Sequence, residues 1–82
     1  MMEDIMIREL DTVVLTSDLP AHGLKRGDVG TIVPLHKSGG YEVEFTTLDG
    51  ETIAVVSLTA EQVRPIGRRE IANARALPST AA

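Results

Sequence analysis

Tyr41-Glu42-Val43-Glu44-Phe45-Thr46-Thr47-Leu48-Asp49-Gly50-Glu51-Thr52-Ile53-Ala54-Val55-Val56-Ser57-Leu58 is the stretch that decides the fold. In its first five residues Tyr41, Val43 and Phe45 alternate with Glu42 and Glu44. That period of two puts apolar side chains on one face of a strand and carboxylates on the other. Asp49-Gly50 then signals a hairpin, because both central residues of a type I′ turn need positive φ, which Asp tolerates and Gly prefers. Thr52–Leu58 returns antiparallel. If Ala54, Val56 and Leu58 share the inward face fixed by Val43 and Phe45, alternation sends Ile53 and Val55 outward. Both faces of this strand are thus apolar, whereas a small barrel has one inside. Ile53 and Val55 are either covered by the chain's own termini or form a surface for a second copy or another protein.

On the N-terminal side, Lys37-Ser38-Gly39-Gly40 closes a hairpin back to Val29–Leu35, a strand interrupted by Gly30 and Pro34. A glycine there points to a bulge or close backbone approach, and a proline needs an edge or unpaired position. Gly27-Asp28 marks a turn, and Thr12–Leu15 reads as the first strand. The breaker-rich Ser17–Gly23 between them is a long loop, which Leu19 and Leu24 are expected to fold back onto the core. Beyond the central hairpin, Thr59-Ala60-Glu61-Gln62 has a capping-box pattern. Pro65 limits any helix there to about one turn. Val63–Ile66 then serves as a closing strand. The expected fold is all-β: a small five-stranded SH3-like barrel over residues 10–66 with one helical turn before the last strand. An N-terminal arm occupies residues 1–9. The tail, residues 67–82, has room for a short helix in Arg68–Leu77, followed by disorder.

Composition narrows the function classes. A chain of 82 residues with 43% hydrophobic and 24% charged residues has the balance of one globular domain. Tyr41 and Phe45 are its aromatics, so the core falls to Val, Ile and Leu. The absence of cysteine removes disulfides and thiolate chemistry, and its natural setting is a reducing cytoplasm. Met1–Arg8 lacks the basic start and long apolar run of a signal peptide. Nor does any stretch approach the roughly 20 apolar residues of a membrane span.

The net charge of −4 is unevenly spread. From Leu10 to Ile66, Asp11, Asp18, Asp28, Glu42, Glu44, Asp49, Glu51 and Glu61 face Lys25, Arg26, Lys37 and Arg64, so the body is acidic and opposes binding to phosphate backbones. After Gly67, Arg68, Arg69 and Arg75 outnumber Glu70. A short basic arm of this kind is usually solvated or docks on its own acidic body.

No catalytic or cofactor-binding pattern emerges. His22 and His36 lack the spacing of a metal-binding helix, Glu42 and Glu44 read as a solvated strand face, and the serines sit in no nucleophile elbow. Gly23, Gly27 and Gly30 are not followed by the Lys-Ser/Thr of a phosphate loop. No enzyme activity, metal or cofactor is therefore expected. Two rings that fall on the core face cannot line a groove for proline-rich peptides or stack bases. Lys25, Arg26, Arg64, Arg68 and Arg69 remain as candidate phosphate contacts.

Leu10–Val33 (LDTVVLTSDLPAHGLKRGDVGTIV) and Tyr41–Pro65 (YEVEFTTLDGETIAVVSLTAEQVRP) resemble a family of short uncharacterised bacterial proteins known as a domain of unknown function, with the repeated motifs L-D-x-V-x-L, D-L-P-x-x-G-L, G-D-x-G-x-V-V and Y-x-V-E-F. Gly27–Val33 alone is similar to the turn and strand of KOW modules and other small SH3-like barrels, a likeness of fold. Neither resemblance implies a reaction or transfers a functional residue. The reading that follows is a non-catalytic protein-interaction module, an accessory or antitoxin-like partner of a neighbouring gene product, with Ile53 and Val55 as its contact residues. The rival is a KOW-like domain serving RNA or the transcription and translation machinery. Nucleic acid is disfavoured as a partner, and no membrane is involved.

Overall fold

The computed structural model describes residues 7–33 and 40–78. Five strands, β1 (Thr12–Leu15), β2 (Val29–Ile32), β3 (Tyr41–Thr46), β4 (Thr52–Leu58) and β5 (Val63–Pro65), make one antiparallel sheet in the order β4-β3-β2-β1-β5. The all-β expectation holds. Closure does not: β4 and β5 end the sheet without pairing to each other. Closing a sheet requires tilted strands in a fixed stagger with edges able to pair, and β5 ends in Pro65, which has no N–H to donate. Strand β2 ends at Ile32, short of the expected Leu35; Pro34 and Leu35 lie outside the described residues.

Both local turn expectations need correction. Asp49 does not adopt positive φ; Gly50 does, at 97°. The Gly50 N–H donates to the Thr47 carbonyl at 3.0 Å, and the Thr47 N–H to the Glu51 carbonyl at 2.8 Å. This is the three-residue hairpin loop in which an ordinary turn is followed by a left-handed glycine. The expected helical turn before β5 is a single hydrogen-bonded turn with no helix, closed by Gln62 N–H donating to the Thr59 carbonyl at 3.0 Å. The Gln62 side chain does reach back, its Oε1 accepting from the Thr59 N–H at 2.8 Å. Strand β5 starts at the next residue, with Val63 already in the core, so no second turn can form. The short helix lies in the loop after β1, a 3-10 turn at Pro20–His22 that Gly23 ends in the left-handed conformation.

That loop folds back as expected. Leu19 and Leu24 exchange backbone hydrogen bonds at 2.9 and 3.1 Å, which pins Leu24 in the core at 4% exposure. The core comprises Val13, Leu15, Leu24, Ile32, Val43, Phe45, Val56, Leu58 and Val63, with Ile7, Leu19 and Tyr41 among the side chains packed on it. Gly30 sits on the same inward face, opposite Val13. A Cβ at Gly30 would lie 2.6 Å from Val43 Cγ1 and 2.8 Å from Phe45 Cε1, so those two side chains rest directly on the bare backbone of β2. Gly30→Ala is therefore expected to destabilise the chain by about 1–3 kcal/mol through overpacking. Urea denaturation monitored by circular dichroism checks this, with an unchanged midpoint as the contrary result.

Candidate functional site

The outward face of the sheet divides into two unlike halves. Over β3 and β4 it is mainly polar. Glu44 lies across from Val55 and Glu42 across from Ser57. The Thr52 hydroxyl donates to Glu44 Oε2 at 2.7 Å, and the Ser57 hydroxyl donates to Glu42 Oε2. Glu42 departs from the expected solvated face, being 6% exposed. A carboxylate tolerates such burial when a donor faces it, and the register puts Ser57 there.

The structure separates Ile53 from Val55. Val55 points outward at 50% exposure. Ile53 is partly buried and packs against the core cluster, so the expected shared outward face is corrected for this residue. The cause is an irregularity in the β3–β4 ladder: Phe45 pairs with Ala54 but Thr46 pairs with Thr52, which leaves Ile53 as an extra residue. A bulge breaks the alternation on which the sequence argument depended.

Over β2, β1 and β5 the chain itself covers the outward face at Val14. Val14 lies between Val29 and Arg64 in the register and faces away from the core, yet it is 5% exposed. The chain after β5 passes over it, leaving a cleft of about 320 Å³ between the sheet residues Val14 and Val29 and the tail residues Ile66, Ile71 and Asn73. The tail has a turn at Arg68–Arg69 and no regular structure elsewhere, with no helix in Arg68–Leu77. A helix of ten residues is marginal in water without a packed face, and the segment is tied to the body by ion pairs instead. Residues 79–82, part of the expected disordered end, lie outside the described residues.

Two arginines make those pairs. Arg64 on β5 grips both carboxylate oxygens of Glu70 at 2.8 Å, and Glu70 also accepts the Gly67 N–H at 2.6 Å. The Arg64 guanidinium, then the Gly67 N–H, hold the Glu70 carboxyl below its ordinary range. Farther along, Arg75 Nε and an Nη donate to the two oxygens of Asp28 at 2.8 and 2.6 Å, and the same Nη donates to the Gly23 carbonyl at 3.1 Å. Asp28 is held below the usual carboxylate value chiefly by the Arg75 hydrogen bonds, against an opposing effect of burial, with help from the Lys25 N–H and the charges of Arg75 and Lys25.

The candidate phosphate contacts are not gathered into one free basic patch. Lys25 and Arg26 lie in the turn before β2, where their backbone N–H groups donate to Asp28 and Asp18 at 2.8 Å. Arg26 and Arg64 line the same cleft, but Asp28 and Glu70 line it too. Arg68 and Arg69 stand exposed in the turn after Gly67. Asp28, Glu70 and Arg75 had no individual signal in the sequence. The basic tail after an acidic body pointed to self-docking, but nothing local identifies a pair 47 positions apart. Among the described residues no three of His, Cys, Asp and Glu cluster as metal ligands, and no helix is long and apolar enough to cross a membrane. His22 is exposed and His36 lies outside the described residues.

The family described as Domain of unknown function (DUF4926) matches residues 9–65, which spans all five strands and stops before the tail. No curated protein and no solved structure matches the chain.

The Asp28–Arg75 pair predicts a pH dependence of definite sign. A carboxyl whose folded pKa lies below its unfolded value, here 3.8, stabilises the fold above that value and loses the contribution as pH falls through the lower folded pKa. The Asp28 carboxyl carbon should titrate by NMR below pH 3.8. Arg75→Ala should move its midpoint upward and flatten the acid limb of stability against pH. An unmoved midpoint would mean the pair does not persist in solution.

Proposed function

Since the chain belongs to this family, whose description names no activity, we propose from its geometry that it is a non-catalytic protein-interaction module that presents the edge of strand β4 to a partner. The single observation behind this reading is the contrast between the two ends of the sheet. Strand β5 is a defended edge: three residues, one of them Pro65 and another the ion-paired Arg64. Strand β4 has seven residues, T-I-A-V-V-S-L, with no charge and no proline, and among the described residues it pairs with β3 alone. A long uncharged edge offers unpaired backbone donors and acceptors to a strand of another chain. Val55, exposed at its centre, provides apolar contact beside that backbone. Ile53 supports the edge from the core side.

The strand order β5-β1-β2-β3-β4, a meander whose last strand returns to the first, supports an SH3-like arrangement. An antitoxin-like or accessory role beside a larger protein fits a small acidic chain with such an edge, working in the cytoplasm. The rival KOW-like reading needs a free basic surface, and the pairing of Arg64 with Glu70 weighs against it.

Val55→Lys puts a charge on the edge while sparing the core. It is expected to leave the melting temperature within a few degrees and to weaken association, by light scattering for a second copy or by pull-down for another protein. Ile53→Lys buries a charge and should cost roughly 1–3 kcal/mol or more of stability. Association unaffected by Val55→Lys, or micromolar single-stranded RNA binding that falls steeply with salt, would reverse the ranking.

A further inference from the structure

We propose that residues 66–78 form a latch whose far end is fastened by Arg75, and that its release uncovers the Val14–Val29 face while the sheet stays folded. The covering segment is poorly integrated with what it covers. Among the described residues, no backbone-to-backbone hydrogen bond reaches the chain after Pro65. Among the described residues, every hydrogen bond from residues 71–78 to the rest of the protein comes from the Arg75 side chain, two to Asp28 and one to Gly23. None of the segment's large apolar residues joins the core cluster: Ile71 is 94% exposed, Ile66 46% and Leu77 37%, and a cleft lies beneath. The Arg64–Glu70 pair lies at the hinge, six residues apart in sequence, and sets only the direction in which the chain leaves β5.

The surface under the latch is built differently from an ordinary solvated face. Val14 projects away from the core yet is 5% exposed, next to Val29 at 47%. Strand β1 therefore carries apolar residues on both faces, and the outward one relies on the tail for cover. The groups facing the fastening point are Asp28, Lys25, the Gly23 carbonyl and, acting by charge on Arg75, Asp18. The guanidinium fork fits two carboxylate oxygens at once, so losing it removes the hydrogen bonds that tie Arg75 to Asp28 and Gly23.

The test uses the full chain as wild type, Arg75→Ala and Asp28→Asn. Heteronuclear NOEs report the order of residues 67–78, a soluble paramagnetic agent reports access to the Val14 methyls, and amide exchange reports the core at Val13, Val43 and Phe45. In both variants the NOEs of residues 71–78 should fall to flexible-chain values. Paramagnetic broadening at Val14 should rise several-fold while core protection stays near wild type. A tail as ordered in the variants as in wild type would overturn the proposal, because other contacts would then hold it. Collapse of core protection, or failure of the variants to fold, would equally overturn it by making the tail part of the fold.

Discussion

The contact of Val43 and Phe45 with the bare backbone of Gly30 is the constraint on which the remaining architecture depends. In a chain with two aromatic rings, the phenylalanine has to reach the middle of the sheet to make a continuous core, and the absence of a Cβ on β2 lets it do so. Val13, opposite Gly30 on β1, is then sealed to 0% exposure. With that row closed, Leu24 from the loop and Val63 from β5 complete the same cluster. A larger residue at position 30 would push Val43 and Phe45 off β2 and open the centre of the only core a chain this size can build.

The outward face shows how a small sheet divides its second surface. Alternation forces every strand to present something there. On β3 and β4 the answer is polar, with carboxylates matched to hydroxyls by register and one exposed valine. On β1 and β2 two valines, Val14 and Val29, stand there beside Thr12 and Thr31, and the tail passes over Val14. The two solutions leave the sheet asymmetric, with cover and charge at the β5 end and an uncharged, seven-residue edge at the β4 end.

How much of this is legible in the sequence depends on the range of the interaction. Strands β1 and β4 are read from pattern to the residue, since β-branched runs bounded by turn residues are local signals. The return of Leu24 to the core is legible because two leucines in a loop have no other reason to be there. The position of Ile53 is not, since a bulge is a property of a pair of strands, and one strand's alternation cannot reveal an unmatched residue in its ladder. The burial of Glu42 is hidden for the same reason: Ser57, which makes it tolerable, is placed opposite by register and not by proximity in sequence. Openness of the sheet is also beyond pattern, because strand order is the same whether the ends meet or not.

The charge distribution is where sequence and structure join most closely. An acidic body followed by a basic tail has two electrostatic outcomes, attraction to an external polyanion or attraction to itself. Self-attraction has the advantage of a short tether, which keeps Arg75 at high effective concentration near Asp28. Once Arg64 and Arg75 are committed to Glu70 and Asp28, each pair is neutral, and Arg68 and Arg69 carry the unpaired charge of the tail among the described residues. The two free arginines of the tail supply only a small counterion-release term by themselves. Arg64 at the end of the sheet and Arg75 in the tail therefore act on their own chain, where they hold the tail beside Val14.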